Sequence, residues 1–170
     1  MNRSKLLLLA RMENIREDLE EALERIDDSM MGWAPVEGMR TVSGQMVEIA
    51  ATEIQVRGRL TNSEWISDEE VRARIGDLGS VETVRAFLKT VRSDTVAQVE
   101  AYSDEELEED AGFRLGAGGY PVDWFPRSEV FRKLIEHEAY HVGQLVTYIW
   151  AYGDNPYRWD VAPPVGRAES

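Results

Sequence analysis

The chain has no cysteine among its 170 residues, which excludes disulfides, thiolate metal ligands and a cysteine nucleophile. Histidine is almost as scarce, with two in the whole sequence. Basic residues are outnumbered: 19 lysines and arginines stand against 32 acids, a net charge of −13. A surface of that sign repels phosphate backbones and anionic lipid, so nucleic acid and membrane are not expected partners. Long hydrophobic runs are missing too. Leu6 to Leu9 is the only one near the N-terminus, and Arg11, Glu13, Arg16, Glu17 and Asp18 follow it at once, so it is too short for a signal-peptide core or a bilayer span. Together these absences predict a cytoplasmic protein whose partner, if any, is a small molecule.

What is present is helical periodicity. A chain of about 150 residues already buries roughly 70% of its unfolded surface, enough for one domain with a sizeable core. From residue 5 to about 28 the apolar positions Leu8, Met12, Ile15, Leu19, Ala22 and Ile26 recur at steps of four and three, one face of a long helix. Gly32, Pro35 and Gly38 then break the pattern, with Trp33 placed to close an end of the fold. A second helix is expected from Thr41 or Ser43 to Leu60, with Val42, Met46, Ile49, Val56 and Leu60 on one face, interrupted by Glu48 and Glu53. Ser67-Asp68-Glu69-Glu70 is a capping-box pattern that opens a short bridging helix. Ser80 caps a third long helix carrying Val81, Val84, Leu88, Val91, Thr95 and Val99.

Gly112, Gly116, Gly118 and Gly119 form a glycine-rich loop. It lacks the Lys and Ser/Thr at the start of a following helix that a phosphate cradle needs, so it reads as a flexible loop leading to the aromatic group Trp124 and Phe125. The last long helix spans about 128 to 152 and stops at Gly153, with Pro156 just beyond. Residues 1–155 therefore form the helical domain, and 156–170 are expected to be an extended tail. There is no internal repeat.

Both histidines lie in the last helix, in His137-Glu138-Ala139-Tyr140-His141. Four residues apart, they sit about 40° apart round the helix axis and can share one metal ion. Taken alone, His137-Glu138-x-x-His141 matches the zinc-protease pattern, with the glutamate as general base. That pattern needs a third ligand downstream, and here only Asp154, Asp160 and Glu169 follow, all beyond the helix. A strand-rich segment to hold a peptide is also missing.

The wider segment from Glu136 to Leu145, with Tyr148, Gly153 and Pro156 after it, resembles the last helix of the DinB/YfiT-like family, which carries a His-x-x-x-His-x-Gly-Gln pattern. Thr41 to Glu53 resembles the family segment that bears the first metal ligand. The resemblance covers residues 1 to 155 in helix order and spacing. It implies an all-α four-helix bundle of up-down-down-up connectivity, commonly a homodimer, holding a divalent metal by three histidines. This chain departs at the first of these, where Glu48 stands. The resemblance thus implies a metal set of Glu48, His137 and His141, two imidazoles and a carboxylate, with zinc, nickel and iron not distinguished. Periodicity by itself favours Glu53, which falls on the centre of the apolar stripe while Glu48 lies roughly 110° away. Glu53 is therefore the alternative third ligand. Glu138 projects toward the apolar side of its helix and is a candidate to orient a ligand or to act as a base.

Three functions follow as expectations. The first is a metal-dependent transferase or hydrolase using a low-molecular-weight thiol, since some members of the resembling family use one; the loop from Gly112 to Phe125 would shape its cleft. The second is a non-catalytic, stress-associated metal-binding dimer. The third, the zinc protease, is remote.

Overall fold

The computed structural model describes residues 3–61, 66–113 and 124–160, and these are all helix and connecting turns. Six helices follow one another: α1 (Arg3–Leu23), α2 (Val42–Leu60), α3 (Asp68–Ile75), α4 (Val81–Ala101), α5 (Asp104–Glu108) and α6 (Arg127–Tyr152). Single 3-10 turns lie at Asp28–Met30 and Pro156–Arg158. Among the described residues there is no strand, only an isolated bridge between Asp110 and Pro126, and no helix is long and apolar enough to cross a membrane.

The helix ends follow local chemistry. Thr41 caps α2 by accepting from the Gly44 N–H at 3.1 Å, which satisfies one of the donors a helix start leaves open. Ser67 and Glu70 make the reciprocal capping box at α3, and Ser103 and Glu106 make another at α5. At the end of α6, Gly153 adopts φ 119°, a left-handed conformation that glycine reaches without a Cβ clash.

The four long helices pack around a shared interior, α1 against α6 and α4, and α2 against α4 and α6. Lys5 at the start of α1 donates to the Glu100 and Tyr102 carbonyls at the end of α4. Arg25, just past α1, pairs with Asp154 just past α6. Gln45 in the first turn of α2 reaches Tyr148 near the end of α6. Apolar side chains form two clusters. One gathers Ile15 and Leu19 with Ile49, Leu88 and Leu145; the other gathers Leu8 and Met12 with Val56, Val99 and Phe131. The expected stripes of α1, α2 and α4 supply part of both, and α6 adds Phe131, Leu134, Val142 and Leu145.

Between the clusters lies a layer of charge that the stripes do not reveal. Each long helix contributes one residue: Arg16, Glu53, Arg92 and Glu138. Arg16 pairs with Glu138 at 2.9 Å and with Glu53 at 3.3 Å, while Arg92 pairs with Glu53 at 3.2 Å and also with Glu138. The carboxylate side chains are 3% and 1% exposed, so the ring is a buried one. Its charges cancel in pairs, which is the condition for placing them there at all. Burial pushes the Glu138 carboxyl up, with Arg16 and Arg92 pulling it back down.

The connection after α1 closes an end of the fold as expected: Met30 and Met31 are buried, and Trp33 packs edge-on against Tyr148 and Tyr152. Two expectations need correction. The start of the tail is not extended: the Pro156–Arg158 turn carries Trp159 back to α1, where Arg25 stacks over its ring and bonds its carbonyl. The short helix α3 is more than a bridge, since Val71 and Ile75 are buried and it packs against α2. Residues 161–170 of the expected tail lie outside the described residues.

Candidate metal centre

α2 and α6 bring the site together. His137 and His141 point from successive turns of α6 toward α2, their ring centroids 4.5 Å apart and their Nε2 atoms 3.1 Å apart. From α2, Glu48 reaches the same place, and the ligand atoms of Glu48, His137 and His141 all lie within 4.8 Å of one another. Glu53, one and a half turns further on, faces the interior and is held by Arg16 and Arg92. The resemblance and the periodicity disagreed about which acid meets the histidines; the packing of α2 on α6 brings Glu48 to them.

Glu138 is likewise placed away from the imidazoles, in the buried ring with both arginines. Its carboxylate pairs with Arg16 and Arg92 rather than with either imidazole. Most of the loop expected to shape the cleft, residues 114–123, lies outside the described residues; its last residue, Phe125, is buried in the second cluster, its N–H bonded to Asp110. Among the described residues, part of the wall comes from the connection before α2. A cleft of about 420 Å³ beside the histidines is lined by Met39 and Arg40 from that connection, with Tyr140 and Gln144 from α6.

A chain of hydrogen bonds sets the tautomer of His141. The Arg40 carbonyl can only accept, so the Tyr148 hydroxyl, 3.0 Å away, donates to it. Tyr148 then accepts from Gln45 Nε2 at 3.1 Å, which turns the Gln45 carbonyl oxygen toward His141 Nδ1 at 2.5 Å. Nδ1 must therefore carry the proton, and Nε2 presents its lone pair to His137. Buttressing of this kind on the far nitrogen is what ligand histidines require. Thr52 lies 3.4 Å from His137 Nε2.

The imidazoles are held neutral. Burial, then the neighbouring His137 and Arg40, depress His141 to about 4. Burial also lowers His137, against the pull of Glu48. Glu48 pairs with Arg40 at 2.5 Å, and Asp68 at the start of α3 faces Glu48, its carboxyl raised by burial and by that neighbouring carboxylate. Two neutral imidazoles and a carboxylate form a donor set that suits a divalent ion, because ligand nitrogens must be unprotonated to bind one. The residues present thus fit a metal.

A pH dependence follows. The folded His141 pKa lies below the ordinary 6.5, so between those values the unfolded chain binds the extra proton and stability rises with pH. Metal-free protein should keep this contribution above about pH 6.5 and lose it as pH falls toward about 4. Histidine NMR titration checks the cause: His141 should stay neutral where a free imidazole is already charged.

The signal for Gln45 and Arg40 was faint. Gln45 lies in the Thr41 to Glu53 segment that resembles the family's first-ligand region and Arg40 immediately precedes it, but neither is a residue type that commonly ligates a metal. Among known proteins, neither a curated protein nor a solved structure matches the chain. A family model does: the DinB superfamily model matches residues 11–145, a span that takes in the buried ring as well as Glu48, His137 and His141, and the chain accordingly belongs to the DinB superfamily.

Proposed function

We propose that this protein is a divalent-metal-binding enzyme of the transferase or hydrolase kind, acting on a small molecule with a low-molecular-weight thiol as co-reactant. The observation that carries the reading is the convergence of Glu48, His137 and His141 beside an accessible cleft. Glu48 and the two Nε2 atoms would hold the ion. A divalent ion with an open coordination position lowers the pKa of a bound thiol or water. Gln45 keeps His141 in the tautomer that offers Nε2, while Met39, Tyr140 and Gln144 wall the space next to it. Since the chain has no cysteine, any thiolate must arrive with the substrate or co-reactant.

The bundle reads as up-down-down-up. Support comes from the end-to-end contacts: Lys5 with the end of α4, Arg25 with the end of α6, and the start of α2 with the end of α6. The second reading, a metal-binding bundle without catalysis, is favoured by the Arg40–Glu48 pair, which already occupies one ligand.

The test is elemental analysis of untagged protein, followed by turnover screens of the loaded protein with a panel of thiols and electrophilic or hydrolysable substrates. About one equivalent of metal per chain, with thiol-dependent turnover that chelator abolishes, is the expected result. Bound metal with no turnover across the panel would leave the non-catalytic reading, and absence of metal under all loading conditions would remove both.

A further inference from the structure

The geometry points to Arg40 as the residue that selects the substrate: a clamp for a carboxylate, or a like oxyanion, carried by a small molecule whose other donor faces the metal. This rests on the metal reading above and extends it to the class of ligand.

Three contacts position Arg40. Its backbone carbonyl accepts from Tyr148, the same hydroxyl that starts the chain leading to His141. Its guanidinium reaches Glu48 at 2.5 Å. Its aliphatic stem lies across bare backbone at Gly44, where a Cβ would stand 2.7 Å from Arg40 Cγ and 3.1 Å from Thr41 Oγ1. No Cβ contact that short is tolerable, so the glycine is what lets the arginine lie along the first turn of α2. The side chain is nonetheless 43% exposed and lines the cleft together with the histidines.

Charge then decides what the cleft accepts. Glu48 is the shared neighbour of the arginine and the histidines, so a metal held by Glu48 and two neutral imidazoles draws on the charge that now balances Arg40. A divalent ion and one guanidinium against Glu48 leave a net charge of about +2, or about +1 with Asp68 ionised. On a chain of net charge −13, that is a positive spot on an acidic molecule, and only an anion neutralises it. The planar fork of a guanidinium matches a carboxylate in particular, giving two parallel N–H donors. Met39 and Tyr140, 43% and 64% exposed, offer apolar surface for the carbon frame between the two charged ends. The cleft volume of about 420 Å³ suits a molecule at the small end of ligand size.

Cobalt-loaded protein tests this with two probes sharing one anchor, mercaptoacetate and 2-mercaptoethanol, whose binding is followed by the thiolate-to-cobalt charge-transfer absorption. The wild type should prefer mercaptoacetate, and Arg40→Gln should cut that preference about tenfold or more, as expected for loss of a charge-assisted hydrogen bond. Gly44→Ala, which leaves every charge in place but displaces the arginine stem, should reduce the preference in the same direction. Cobalt content, checked by elemental analysis, should hold in both variants. An unchanged preference in Arg40→Gln with cobalt still bound would overturn the clamp and leave the metal site standing. Failure of the wild type to bind cobalt would overturn the metal reading, and the clamp with it.

Discussion

Untagged protein carrying His141→Ala is expected to lose its divalent metal, while the fold survives. His141 supplies one of three converging ligand atoms, and it is the one whose tautomer the structure sets, through Gln45, Tyr148 and the Arg40 carbonyl. Gln45→Ala should therefore weaken the metal too, by about the 10- to 100-fold that outer partners of ligand histidines are worth, and His141→Ala by more. Glu48→Gln keeps the shape of the third ligand without its charge and should fall between wild type and His141→Ala. Competition with a chromophoric chelator reads all three. Equal affinity in wild type and His141→Ala would sink the site altogether. Loss in His141→Ala with full retention in Glu48→Gln would show that water or Asp68 completes the set.

The second large effect is on stability. Glu138→Ala should cost about 3–5 kcal/mol, because it leaves two arginines facing one carboxylate in the interior. Arg92→Ala should cost a similar amount, stranding Glu53 and Glu138 against Arg16 alone. Replacing all four ring residues at once by apolar side chains of like volume should cost far less, since paired burial is expensive in itself and matched apolar packing often recovers it. Urea unfolding midpoints measure each. A loss below about 1 kcal/mol for Glu138→Ala, the range of exposed ion pairs, would mean that the ring is solvated in solution. The ring also separates the two apolar clusters, with one residue from each long helix at a common level. Sliding any helix by a turn would bring a charge against a cluster, so the layer penalises the wrong register as well as holding the right one.

Much of the fold was legible in one dimension. Three apolar stripes located α1, α2 and α4 to within a few residues, because a helix that buries one face must repeat its apolar residues at steps of three and four, and the Gly153 stop located the end of α6. Caps were legible for a similar reason: Thr41, Ser67 and Ser80 act on backbone N–H groups three residues away, and so need no tertiary information. The docking of Trp159 was harder, since an aromatic in an irregular segment shows no period and takes its place only when a surface is there to receive it.

The site divides along the same line. That His137 and His141 share a face of one helix follows from their spacing alone, and that an acid in an apolar stripe requires a counter-charge or a donor follows from desolvation alone. The sequence thus determined that Glu53 needed a cation or a hydrogen-bond donor, without saying which. Tertiary structure decided that two arginines answer it, that Glu138 belongs to the same ring, and that Glu48 with Arg40 behind it is the acid beside the imidazoles. The physical reason is that periodicity reports which way a residue faces on its own helix. Which residues of different helices meet at one level depends on the axial offset between helices, and that is set by packing the whole interior at once.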